Sequence, residues 1–181
     1  MDTTSRLPVY QRDSLALRAA TKDDLDSIVQ IVHAGFPDDP EVHYRFPRRD
    51  EFPEDYLKWT RMEYEGYIEQ VKNFVVHLVE ARSGDSVGDG GRNPVAIAVW
   101  DAAVLTKAHG TDKGLDERRD ANKEHCRAFT EAAGESFRKY FAKYEEKQIH
   151  LWLLVTHPDY RPLGAGAMLT EWGLYAARER G

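Results

Sequence analysis

The residues best placed to do chemistry lie near the end of the chain. An apolar run, Ile149 to Thr156, passes through His157-Pro158-Asp159-Tyr160 into Arg161-Pro162-Leu163-Gly164-Ala165-Gly166. A helical pattern follows, with Met168, Leu169, Trp172 and Ala176 on its apolar face. The first N–H groups of a helix lack intrahelical acceptors, and the helix dipole adds partial positive charge there. Such an end receives phosphate when side chains do not block the approach. Gly164 and Gly166 remove that obstruction and permit unusual backbone angles, and Arg161 adds a fixed positive charge. The segment reads as an anion cradle at the end of a strand. A glycine pair at a strand-to-helix turn also serves as a plain tight turn, and it is the arginine, strand and helix around it that favour the cradle.

Rival phosphate motifs do not fit. A P-loop needs Gly-Lys-Ser/Thr, whereas Gly166 is followed by Ala167 and Met168. A dinucleotide fingerprint needs a third glycine where Leu169 stands.

Other reactive side chains are scattered. Cys126 falls in the apolar stripe of a helix pattern and reads as a buried structural thiol. The histidines show no His-Glu-x-x-His or other zinc spacing, so no metal is expected. His150 flanks the apolar strand and His77 lies on another; either can serve as a general base at working pH, or simply pack. Glu80 is a further candidate, and His157 beside the cradle can just end the strand. Tyr56, Trp59, Tyr64 and Tyr67 recur on one helix pattern, and either line an acceptor pocket or fill the core.

Periodicity supplies the elements that position these residues. Ser14 to Arg18 alternates as a short strand. Thr21 stands as an N-cap, followed by Leu25, Ile28, Val29, Val32 and Phe36 at helical spacing. Residues 37 to 53 read as a loop, and 54 to 70 as a second helix. Phe74 to Val79 and Pro94 to Val99 are strands of an antiparallel pair, joined by a Gly/Asp-rich connection over 83–93. Residues 116 to 147 carry Cys126, Phe129, Ala133, Phe137, Tyr140 and Tyr144 at intervals of three or four, which predicts one long amphipathic helix. The run from Ile149 to Thr156 predicts a central strand buried on both faces. The order is β-α-α-β-β-α-β-α, a mixed α/β domain spanning 1–181.

Bulk properties narrow the partners. With 181 residues, 41% hydrophobic and 31% charged, the chain is long enough for one domain with a real core. A net charge of -6 argues against nucleic acid as a partner. One cysteine excludes an intrachain disulfide. No apolar run approaches the roughly 20 residues of a membrane span, and the N-terminus lacks the apolar centre of a secretory signal. The expected location is cytoplasmic, or nuclear.

The Arg-x-x-Gly-x-Gly spacing at 161 to 166, after Val155-Thr156-His157-Pro158-Asp159-Tyr160, resembles the acetyl-CoA signature of the GNAT superfamily of N-acetyltransferases. The element order is also similar, with the 116–147 helix as an insertion before the central strand. The resemblance implies a mainly antiparallel sheet flanked by helices, acetyl-CoA as co-substrate, and direct attack of a small-molecule or peptide amine on the thioester. It implies that backbone N–H groups from Arg161 to Ala167, thus Arg161, Pro162, Leu163, Gly164, Ala165, Gly166 and Ala167, hold the pyrophosphate. It also implies that Leu153, Leu154 and Val155 offer backbone groups to the pantetheine arm. The family pattern has a fifth strand, a fourth helix and a final strand pair after the signature helix, and no such segments precede Gly181. The expectation is therefore a truncated domain whose central strand has an unpaired edge, open to pairing with a second copy or a partner chain. A non-catalytic acyl-CoA-binding module, or a remnant completed by a partner, is the alternative to an enzyme.

Overall fold

The computed structural model describes residues 11–12, 14–82, 91–103 and 114–180. Strands β1 (Gln11–Arg12), β2 (Leu15–Ala19), β3 (Phe74–Arg82), β4 (Arg92–Asp101) and β5 (His150–Thr156) form one sheet in sequence order. Every pairing in it is antiparallel. The tip of the predicted 83–93 connection, residues 83–90, lies outside the described residues.

Alternation along the strands divides the interior into two layers. On one face Val76, Leu78, Ile97, Val99 and Val155 pack against α1 (Leu25–Gly35) and a later helix over Pro53–Glu69. Ile31 joins Leu25, Ile28 and Val32 on the buried side of α1, while Val29 is only half-buried. On the other face Val79, Ala96, Ala98 and Trp100 pack against Ala165, Met168 and Leu169 of the last helix. Thr21 donates to the Asp24 carboxylate from both its backbone N–H (2.7 Å) and its hydroxyl (3.0 Å), which starts the turn leading into α1.

Three expectations are corrected. The stretch 37–53 is not all loop, because Pro40–Arg45 forms a short helix, α2. Its cap is Asp39, whose carboxylate accepts from the N–H groups of Glu41 (2.8 Å) and Val42 (3.1 Å), with Pro40 pre-set at the first helical position. The helix of Pro53–Glu69 is therefore α3. The segment 116–147 is not one helix. Asn122 caps through its side-chain oxygen, accepting from Glu124 and His125, so α4 covers only Lys123–Tyr140, and a 3₁₀ stretch over Ala142–Lys147 follows. Its apolar stripe is not packed on the sheet. Cys126 is buried, Phe129 and Phe137 are half-buried, and Tyr140 (54% exposed) and Tyr144 (52%) face outward. Finally, β5 is not buried on both faces. It pairs with β4 alone among the described residues, and only Val155 is buried.

Candidate functional site

The turn between β5 and the last helix, α5 (Ala165–Glu179), is a 3₁₀ stretch over Pro158–Leu163 closed by Gly164. Gly164 has φ 82° and ψ 20°, a left-handed conformation that favours glycine. A Cβ at Gly166 would meet only Leu154 Cδ2 and Thr156 Oγ1, both at 3.5 Å, so the fold does not demand glycine there. No acidic side chain stands in the first turn of α5, and the N–H groups of Ala165, Gly166 and Ala167 are its donors without intrahelical acceptors. The turn thus suits an anion.

Two parts of the predicted cradle behave differently. Pro162 shapes the loop but has no N–H to give, and the Gly164 N–H points to Arg161 O at 3.5 Å. The Arg161 guanidinium does not lie free at the helix end: its Nη2 donates to Gly35 O (3.0 Å), closing the C-terminus of α1. The backbones are close there, since a Cβ on Gly35 would fall 2.0 Å from Val155 Cγ2.

On β5, Leu153, Leu154 and Val155 pair with Val99, Ala98 and Ile97 of β4. Alternate residues of an antiparallel ladder turn both backbone groups toward the partner strand. Consecutive residues therefore cannot all serve the open edge. Either Leu154, or Leu153 with Val155, can offer main-chain groups there.

A cavity of about 640 Å³ opens beside the first half of β5. Its walls come from α1, α2, α3, α4, the end of β4, and His150, Trp152 and Leu153 of β5. Tyr56, Tyr64, Phe129 and Phe137 supply rings, and Glu63 supplies a carboxylate. Of the four aromatic residues singled out on α3, Tyr56 and Tyr64 line this cavity. Trp59 packs on Gly114 instead, and Tyr67 joins the core of the sheet. The Tyr67 hydroxyl donates to Glu63 Oε1 (2.7 Å) and accepts from Trp152 Nε1 (2.8 Å). Burial and the neighbouring Glu63 carboxylate push the Tyr67 phenol well above its ordinary range. A smaller recess, about 350 Å³, lies on the cradle side between Ser27 and Gln30 of α1, Asn93–Val95, and His157 with Tyr160.

The candidate bases fare unequally. His150 lines the large cavity, its ring near Phe141 (6.1 Å) and Trp152 (6.1 Å). His77 does not reach it. It is 2% exposed, sits 4.3 Å from the Trp172 ring, and burial alone lowers its pKa to about 4. Its Nδ1 finds no partner among the described residues. Glu80 is held by Arg18 (2.8 Å), which also binds Asp24. Cys126 is buried, burial raises its pKa, and its thiol points at Arg45 O (3.5 Å). Among the described residues no group of three or more His, Cys, Asp or Glu side chains is placed to hold a metal ion.

No family model matches the chain, and no curated protein sequence matches it. Solved structures do. One is described as a histone acetyltransferase HPA2 and related acetyltransferase from Corynebacterium glutamicum; it superposes with a TM-score of 0.57 at 20% identity, covering 91% of this chain and 72% of that one. Another, a mosquito arylalkylamine N-acetyltransferase like 5b, gives 0.53 at 16% identity over 93% and 73%. The fold is that of the GNAT acetyltransferases. Among the described residues β5 ends at Thr156, α5 starts at Ala165, and α4 lies between β4 and β5 in the chain.

Glu63 is the residue that sequence reasoning missed. Its spacing of four from Tyr67 is readable on a helix. Its place in a cavity is not, because that depends on α2 and α4, both misread from sequence.

Proposed function

We propose that the protein is an acetyl-CoA-dependent N-acetyltransferase acting on an amine. The support is the continuity of one strand: β5 ends in an anion-receiving turn, and its first half walls a ring-lined cavity. Leu153, in the cavity wall, lies three residues from Thr156 at the end of the strand, about 10 Å along it. A long donor whose diphosphate sits at Ala165–Ala167 would run along the open side of β5 toward the cavity. The residues fit such a donor: glycine at 164 and 166, three first-turn N–H groups, and no competing carboxylate in that turn.

When bound, an acyl-CoA thioester would supply an acyl carbon open to attack by a neutral amine, the C–N bond forming as the C–S bond breaks and the proton lost by nitrogen balancing the one taken up by the departing coenzyme A thiolate. The chain's own residues then have three tasks. The first turn of α5 balances the diphosphate charge through main-chain donors. The edge of β5 orients the arm by backbone hydrogen bonds. The cavity walls exclude water and hold the acceptor nitrogen beside the strand.

The test is Gly166→Glu, followed by calorimetry with coenzyme A. A Cβ at Gly166 would make only ordinary contacts, 3.5 Å from Leu154 Cδ2 and from Thr156 Oγ1, and the variant places a negative charge in the first turn of α5. Dissociation constants should rise at least about tenfold, or binding should vanish. Unchanged affinity in a folded variant would refute the assignment. Gly164→Glu is a less clean probe, because its backbone angle makes any side chain strained.

A further inference from the structure

We infer that Arg161 is a positioning residue for the donor: it holds the β5–α5 turn by tying it to the end of α1, and it is not a ligand of the diphosphate. This rests on the donor site of the proposed function. Three observations carry it.

The first is what the guanidinium reaches. Arg161 Nη2 donates to Gly35 O at 3.0 Å, across 126 residues of chain. Gly35 is the last residue of α1, so its carbonyl is one of the four that a helix leaves without a donor of its own. Among the described residues no main-chain N–H from outside the helix reaches that oxygen, and Arg161 forms no ion pair. A helix C-terminus carries partial negative charge and draws a cation, whereas the N-terminus of α5 carries partial positive charge and repels one. The two helix ends together place this guanidinium at α1 and away from Ala165–Ala167.

The second is how little else holds the turn. The chain leaves β5 after a bond from the His157 N–H to Val95 O (2.9 Å). Inside the turn the Tyr160 N–H donates to His157 O at 3.0 Å, and the Gly164 N–H reaches Arg161 O only at 3.5 Å, a weak bond. Gly164 follows at φ 82°, and glycine has the widest choice of backbone angles. The Arg161 side chain therefore supplies the second anchor of the turn, just before that glycine.

The third is where the anchor lies. A Cβ on Gly35 would fall 2.0 Å from Val155 Cγ2 and 3.5 Å from Thr156 O, so the end of α1 abuts the end of β5. The turn departs from Thr156 and is pinned back beside it. Val32 and Phe36 of the same helix end line the large cavity, so the tie also fixes the turn relative to that wall. A turn ordered before the donor arrives loses less conformational freedom on binding. A residue that never touches the donor raises its affinity in this way.

The experiment compares the intact chain with Arg161→Met and Arg161→Lys. Methionine keeps an apolar stem but has no charge and no donor; lysine keeps both. In ¹⁵N spectra without ligand, Arg161→Met should shift the amides of Gly35 and Phe36 and speed their hydrogen exchange, and leave Ile28, about two turns earlier, unchanged. Calorimetry with coenzyme A at about 0.05 M and about 0.5 M KCl should show affinity about fivefold lower in Arg161→Met, by the same factor at both salts, as loss of one hydrogen-bonded tie would give. Arg161→Lys should restore the spectra and the affinity together. A loss that is large at low salt and fades at high salt overturns the inference, because it marks a direct charge contact with the diphosphate. So does unchanged affinity in Arg161→Met, or an end of α1 that does not respond to it. So does Arg161→Lys recovering affinity while Gly35 and Phe36 stay perturbed. These outcomes sink the inference alone. Failure of coenzyme A to bind the intact protein sinks the donor reading and the inference with it.

Discussion

Desolvation alone sets the ionisation of His77: no carboxylate offsets it, and the imidazole stays neutral down to about pH 4. The folded pKa lies below the unfolded value of about 6.5, so the unfolded chain binds the extra proton first as pH falls. The contribution to stability is fully present above about pH 6.5 and is lost progressively toward pH 4, by up to about 3 kcal/mol. Urea denaturation at pH 7 and pH 4.5 should show this loss, and His77→Leu should flatten it. An equal slope in the variant would mean that other groups govern the acid limb. Residue type was readable in the sequence; environment was not. His77 and His150 look alike in the chain, yet pairing places one beneath Trp172 and the other in a cavity wall. Arg161 was read as a charge for the cradle, and it instead donates to a carbonyl 126 residues earlier.

Among the elements, those with strong periodicity and ordinary punctuation were legible. Strands β2 to β4, α1, α3 and α5 fall within a few residues of their expected bounds. The short helix α2 was hidden because six residues show no helical period, and Asp39-Pro40 works both as a turn and as a cap. The α4 segment was over-extended because its stripe has the right period but no surface to lie on. That stripe walls a cavity, and a period cannot tell a core from a recess. The contact of α1 with β5 is likewise invisible in sequence, and it depends on Gly35. Gly35→Ala should destabilise the protein by about 1–3 kcal/mol through overpacking on Val155. Urea melts of the variant measure this; a change below about 0.5 kcal/mol would mean that α1 can withdraw from β5 without cost.

For the molecule as a whole, the antiparallel sheet and its two faces followed from alternation and element order, and the solved acetyltransferases share that arrangement. The site is legible only in part. The glycine turn is local, so the consecutive residues from Ile149 to Gly166 reveal it. The cavity gathers residues from α1, α2, α3, α4, β4 and β5, and no local pattern announces it. No described helix is long and apolar enough to cross a membrane. The claim on which the functional reading stands is that a diphosphate binds at the β5–α5 turn. Amide chemical shifts of the ¹⁵N-labelled protein, titrated with coenzyme A, test it most directly. The largest shifts should fall on Gly164, Ala165, Gly166 and Ala167, with weaker ones along β5. Saturable shifts confined to other parts of the chain, or none at millimolar ligand, would contradict it.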